Sequence, residues 1–177
     1  MRTELINAAE GALGGIAGTL FIQQAMKLNE KLPAWLQPPS PSQDPGDFMI
    51  SQVERVAQPL PEPVHGALAR SLHFAYGTTW PALLGVFARR LMVGRDAKRA
   101  IATGAALGAG VWALGYLGWL PATGLLPLRR QKKIAPSLVG LLGHAAYGVI
   151  AVSPIALLDR PARRRPGLWR RLASIAF

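Results

Sequence analysis

The sequence predicts an all-α, polytopic membrane protein: four transmembrane helices arranged as two parallel-repeat hairpins, followed by an interfacial amphipathic helix at the C-terminus. Three observations predict it. Four long stretches carry no Asp, Glu, Lys or Arg, the basic residues lie in blocks between and after those stretches, and the phrase HxxYG is written twice.

The uncharged stretches are Gly11 to Met26, Ser71 to Ala88, Ala100 to Leu128 and Ile134 to Leu158. A helix crosses the hydrocarbon with about 20 mostly apolar residues, and about 18 uncharged ones make a candidate. The last three stretches meet that length. The first meets it if it starts near Leu5, carries Glu10 close to the headgroups and places Gln23 and Gln24 near its other end. The predicted spans are 6–26, 66–88, 100–120 and 137–158, one bundle over 1–158, with a Pro-rich outer loop at 27–64 and a basic tail at 159–177. The N-terminus has one early Arg and no small-residue cleavage site before Gln23, so the first span is read as a retained helix.

Half of the residues are apolar, yet the net charge is +11. A soluble protein so basic would suggest nucleic acid, but here the charge is juxtamembrane. Arg89, Arg90, Arg95, Lys98 and Arg99 form one block, Arg129, Arg130, Lys132 and Lys133 a second, and Arg160, Arg163, Arg164, Arg165, Arg170 and Arg171 a third. No RNA-binding aromatic motif accompanies them, so nucleic acid is excluded as a partner. With the N-terminus inside, twelve basic residues fall on the inner side and eight on the outer. That places both termini in the cytoplasm, although Arg129 to Lys133 dissents.

The repeated phrases are His73-Phe-Ala-Tyr76-Gly77 and His144-Ala-Ala-Tyr147-Gly148. Residues i and i+3 share a helix face, so each His and Tyr make one polar patch, predicted two turns into its helix. Gly77 and Gly148 then allow close helix approach, and Pro81 and Pro154 are expected to kink the two helices in comparable places. The odd-numbered spans carry small-xxx-small rows: Gly11 and Gly15, Gly14 and Gly18, Gly104 and Gly108, Ala106 and Gly110. Each half thus reads as a glycine-rich span, a loop and an HxxYG span, related by an axis along the membrane normal.

Between them, the loop from Lys27 to Val64 has prolines at both ends, and Asp47 to Gln58 is predicted as a short helix with Asp47 as N-cap. It reads equally as a periplasmic cap or as a semi-rigid polyproline linker. In the tail, Leu168, Trp169, Leu172 and Ile175 share a face from which Arg170 and Arg171 point away. With Arg163, Arg164 and Arg165 they predict an anchor on anionic headgroups, or a partner-docking helix.

Chemistry is sparse. Without cysteine there is no disulfide and no thiolate. No GxSxG, HExxH or carboxylate pair frames a catalytic site, so the chain is not expected to be an enzyme. His73 and His144 are the one pair that suits a cofactor, as haem or metal ligands, but no second ligand group supports them and the predicted cofactor is none. Hydrogen bonding between helices is their expected work. Glu10 is the one carboxylate near a membrane segment, and it lies far from the histidine level.

Gly14-Gly15-Ile-Ala-Gly18-Thr19 with Met26, then Leu32-Pro33, a Pro-rich loop and two HxxYG phrases resemble the YagU-like family of small bacterial inner-membrane proteins. The resemblance covers 8–158 and leaves out the acidic loop and the Arg-rich tail. It implies a multi-pass bacterial inner-membrane location and transfers no catalytic residue. The resulting expectation is a non-catalytic accessory or scaffold subunit of a larger inner-membrane complex, packing through glycine-rich faces, with a homo-oligomer as the other assembly. A small transporter or channel with a site lined by His73, Tyr76, His144 and Tyr147 is the alternative, and a haem or pigment binder the second.

Overall fold

The computed structural model describes residues 2–91, 97–126 and 134–158, and no strand occurs among them. α1, Arg2–Asn29, rises about 42 Å, more than the roughly 30 Å of a hydrocarbon core, with Glu4 in its first turn and Lys27 in its last to match the helix dipole. α2, Pro45–Val56, is the short helix of the loop. α3 runs over Glu62–Leu91 and α4 over Ala97–Ala113. The latter continues through a π-helical turn, Leu114–Trp119, into a last short helix, α5, Leu120–Ala122. α6 is Ile134–Leu158.

Three helical stretches among the described residues are long and apolar enough to cross a membrane: Glu4–Asn29, Ala97–Ala122 and Ile134–Leu158. α3 corresponds to the expected second span of 66–88 and has 30 residues, but it falls short of the other three in hydropathy. The reason lies in its middle, where His73, Tyr76, Thr78, Thr79, Trp80 and Pro81 follow one another within a single uncharged run.

α1 is the centre of the bundle, flanked by α3 on one side and α6 on the other, and α4 packs on the far flank of α6. α3 and α4 barely touch. Each seam is a ladder of small residues four apart. On α1, Gly11 lies against Pro81 and Gly15 against Gly77 and Thr78, while Asn7 meets Gly85. One face round, Gly14 lies on Ala151 and Gly18 under the ring of Tyr147. On α4, Gly104 meets Gly148 and Val149, and Gly108 meets the backbone of His144. A Cβ at Gly15 would stand 2.7 Å from Thr78 Cα, and one at Gly104 2.7 Å from Val149 Cα. Only glycine permits such backbone contact, which is how helices associate where lipid supplies no hydrophobic drive.

Several boundaries differ from expectation. α2 begins earlier than Asp47 because Asp44 is its cap: the Asp44 carboxylate accepts from Gly46 N at 2.8 Å and Asp47 N at 3.2 Å, and Pro45 fits the first turn, where no N–H is needed. Both α3 and α6 start before the predicted residues, which sets His73 and His144 about three turns deep instead of two. Pro81 and Pro154 lie inside continuous helices and interrupt neither.

The segment after α1 folds back onto the bundle and is not a free linker. Ser42 donates its backbone N–H to Leu125 O at 2.8 Å. Phe48 of α2 packs with Leu120, Leu125 and Leu126, and Gly46 sits directly on the Ala69 backbone of α3. α2 therefore straddles the ends of α3 and α4, and this end of the bundle is the cap end. The tail residues Arg163, Arg164, Arg165, Trp169, Arg170 and Arg171 lie outside the described residues, as does the basic block Arg129 to Lys133.

Candidate functional site

Two helices bring the HxxYG phrases to similar depth in the cap half of the bundle, and there their equivalence ends. Tyr147 is 3 % exposed and Tyr76 37 %. The Tyr147 ring crosses Gly18 of α1, packs with Val111 of α4 and Trp80 of α3, and donates its hydroxyl to the Gly77 carbonyl oxygen. Its destination has a cause in sequence. In a regular helix the Gly77 carbonyl would accept from the N–H four residues on, but that residue is Pro81, which has none. The carbonyl that proline frees is satisfied by a neighbouring helix, as apolar surroundings require. Gly18 and Gly77 supply the room. Thr19, 1 % exposed, lies against Gly77 and returns its own hydroxyl to Gly15 O at 2.8 Å.

Tyr76 points elsewhere. It meets Trp80 edge-on at 6.1 Å and Trp119 at 6.4 Å. Trp119 comes from the π turn, which arises where Leu120 N–H reaches back five residues to Gly115 O, next to Pro121. Widened turns of this kind redirect the side chains they carry. Here Tyr116 stacks on Trp112 at 5.8 Å and meets His144 in a T-shaped contact, also at 5.8 Å. The result is two aromatic groups, Tyr76 with Trp80 and Trp119, and Trp112 with Tyr116 and His144.

The two histidines are not a matched pair. His144 is half-buried, and the 2.9 Å contact of its Nδ1 with Gly140 O makes that nitrogen the donor. His73 is half-buried and lies edge-on to its neighbour Phe74 at 6.4 Å. No group of three or more His, Asp or Glu side chains suited to a metal ion occurs among the described residues.

A cluster of ionisable side chains lies outside the spans, where α2 meets the first turn of α3. His65 Nδ1 is 3.0 Å from Glu54 Oε1, and its Nε2 is 3.7 Å from Asp47. Glu54 also accepts from Leu60 N at 3.1 Å. The hydrogen bond to Glu54 raises the His65 pKa above 6.5, against the opposing effect of burial, and the same bond lowers that of Glu54 below 4.5.

The described residues also leave apolar openings between the helices. One, about 260 Å³, lies between Pro38, Trp112, Tyr116, Pro136 and Leu141 at the cap end. Another, about 200 Å³, lies where α3 and α4 diverge and is lined by Trp80, Ala106, Leu107, Gly110, Val111 and Leu114.

Of the residues expected to pack helices, Gly11, Gly15, Gly18, Gly77, Gly104, Gly108 and Gly148 all lie on seams inside the bundle. They are therefore not available to a partner. Gly110 is the exception in these rows, with open space where its Cβ would stand. Sequence reasoning missed Asn7, buried at 3 % with an unpartnered side-chain amide, and Gly85, Gly140 and His65. A Gly four residues after Pro81 in a seam of period four was the available signal for Gly85; nothing in the sequence pairs His65 with Glu54 across three prolines. No family model matches the chain, and neither a curated protein nor a solved structure is significantly similar to it.

Proposed function

We propose that the chain is a non-catalytic accessory or scaffold subunit of a larger bacterial inner-membrane complex, and that a partner's transmembrane helix docks into the opening between α3 and α4. The open flank of an otherwise closed bundle carries this reading. In the two-hairpin reading α1 corresponds to α4 and α3 to α6, and the matched contacts Gly15–Thr78 and Gly104–Val149 support it. The counterpart of the tight α1–α6 seam would then be α4–α3. Where the first has Gly14 and Gly18 against Ala151 and Tyr147, the second has at the corresponding positions Thr103 and Leu107 on α4 and Trp80 and Tyr76 on α3. Larger side chains hold α3 and α4 apart and leave a cleft beside the outward row Ala102, Ala106 and Gly110. A small-residue row beside an apolar cleft suits a helix, because close backbone approach is what membrane association needs.

Four crossings and cytoplasmic termini belong to the same reading. α3 is about 45 Å long, and its threonines are satisfied within the helix, Thr78 donating to Phe74 O and Thr79 to Ala75 O. The excess of basic residues at the end opposite the cap supports a cytoplasmic location for that end, and the YagU-like resemblance supports the bacterial inner membrane. Transport through a His/Tyr-lined site draws less support, since the Tyr147 hydroxyl is spent on Gly77 and His144 Nδ1 on Gly140. A haem or pigment held by His73 and His144 rests on the two side chains alone.

A photo-crosslinking residue at Ala106, used in native membranes, should capture another polypeptide, while one at Leu13 on the exposed face of α1 should capture lipid. Capture of lipid alone at both positions would reject the docking face.

A further inference from the structure

We propose that α2 is a proton-sensitive strap across the cap ends of α3 and of the α4–α5 arm, above the α3–α4 opening, clamped by His65 and released as the pH rises. The inference rests on the proposed function only in what the opening receives; the strap itself is a property of the isolated chain.

The strap has two attachments. On the α3 side, Gly46 lies on the Ala69 backbone, Ile50 is buried, and His65 bridges two turns of α2 by reaching Glu54 through Nδ1 and facing Asp47 through Nε2. On the α4 side, Phe48 packs with Leu120, Leu125 and Leu126 beside Trp119, and Ser42 is tied to Leu125. The same two arms meet once more below the strap, where Tyr76 of α3 lies 6.4 Å from Trp119. The apolar attachment does not titrate. The polar one does, and it is composed of few groups: Asp47 and Glu54 from α2, and Glu62 from the turn of α3 that carries His65.

The sign follows from these neighbours. All three are acids, so they favour imidazolium, and the docked His65 pKa lies above 6.5. A group whose pKa is raised on docking contributes fully below its free value and loses that contribution as pH rises through the docked value. Glu54 behaves oppositely: lowered below 4.5, it contributes above that value and ceases to contribute as pH falls through its docked value. The clamp is tightest between 4.5 and 6.5 and opens on the alkaline side through His65.

The chain has no cysteine, so two introduced ones are uniquely labelled. Nitroxides on Val53→Cys in α2 and Leu72→Cys in α3, both exposed, report the distance across the titrating attachment in the purified chain. The proposal expects a second, longer population above pH 6.5, its ratio to the short one rising by up to about tenfold per pH unit, the limit for one proton. His65→Gln should remove that pH dependence while circular dichroism shows the helices unchanged, and Glu54→Gln should move the transition to lower pH. A distance distribution that ignores pH, or titrates identically in His65→Gln, overturns the strap. Neither outcome bears on whether Ala106 captures a polypeptide.

Discussion

At the scale of single residues, the bundle is organised by one carbonyl. Pro81 strips Gly77 of its helical partner, and Tyr147 reaches across α1 to replace it. A buried acceptor left unmade costs about 1–3 kcal/mol. Tyr147→Phe should therefore destabilise the chain by roughly that amount in a reversible detergent unfolding titration. In a Pro81→Ala background the backbone N–H returns to Gly77, and the same Tyr147→Phe change should cost less than about 1 kcal/mol. Equal costs in both backgrounds would mean that the hydroxyl is not answering the proline. The sequence put His73, Tyr76, His144 and Tyr147 at one level because HxxYG has helical spacing. It could not separate Tyr147 from Tyr76, since their difference depends on which neighbour stands across the seam: Gly18 in one case, aromatic rings in the other.

At the scale of elements, the seams are periodic and the ends are not. Small residues four apart on α1 and α4 were legible as packing rows, because glycine in an apolar helix has few other uses. Which side each row serves was not legible: the rows expected to offer partner surfaces are consumed between α1 and α3, α1 and α6, and α4 and α6. This distinction is measurable on α4. Gly108→Ala would place its Cβ on the His144 backbone and should cost about 1–3 kcal/mol by overpacking. Gly110→Ala meets open space and should be neutral, or stabilise by up to about 1 kcal/mol through helix propensity. Thermal unfolding of the two variants in one detergent compares them, and equal losses would contradict the assigned α4–α6 seam. The helix ends depend on local chemistry that periodicity misses: the Asp44 cap with Pro45, and the π turn where Leu120 reaches Gly115 near Pro121. Gly124, at φ 77°, closes the turn after α5 in a conformation natural to glycine.

At the scale of the whole molecule, the described helices close on one another through α1 and α6, and the flank between α3 and α4 stays open. The helical class was readable from uncharged length alone. The arrangement of helices was not, because it depends on which side chains meet across each flank: Gly14 and Gly18 let α1 and α6 close, while α3 and α4 diverge beside Trp80 and Leu107. The proposed cytoplasmic location of both termini predicts that an impermeant thiol reagent applied to intact cells labels Val53→Cys but not Lys98→Cys; the reverse pattern would invert the topology. The central claim is that the open flank meets another protein. Extraction from native membranes in mild detergent, followed by mass spectrometry of everything that accompanies the tagged chain, tests it most directly. The account predicts stoichiometric recovery with subunits of a larger membrane complex, reduced when Ala106 and Gly110 are enlarged to leucine; a chain recovered alone or only with copies of itself would contradict it.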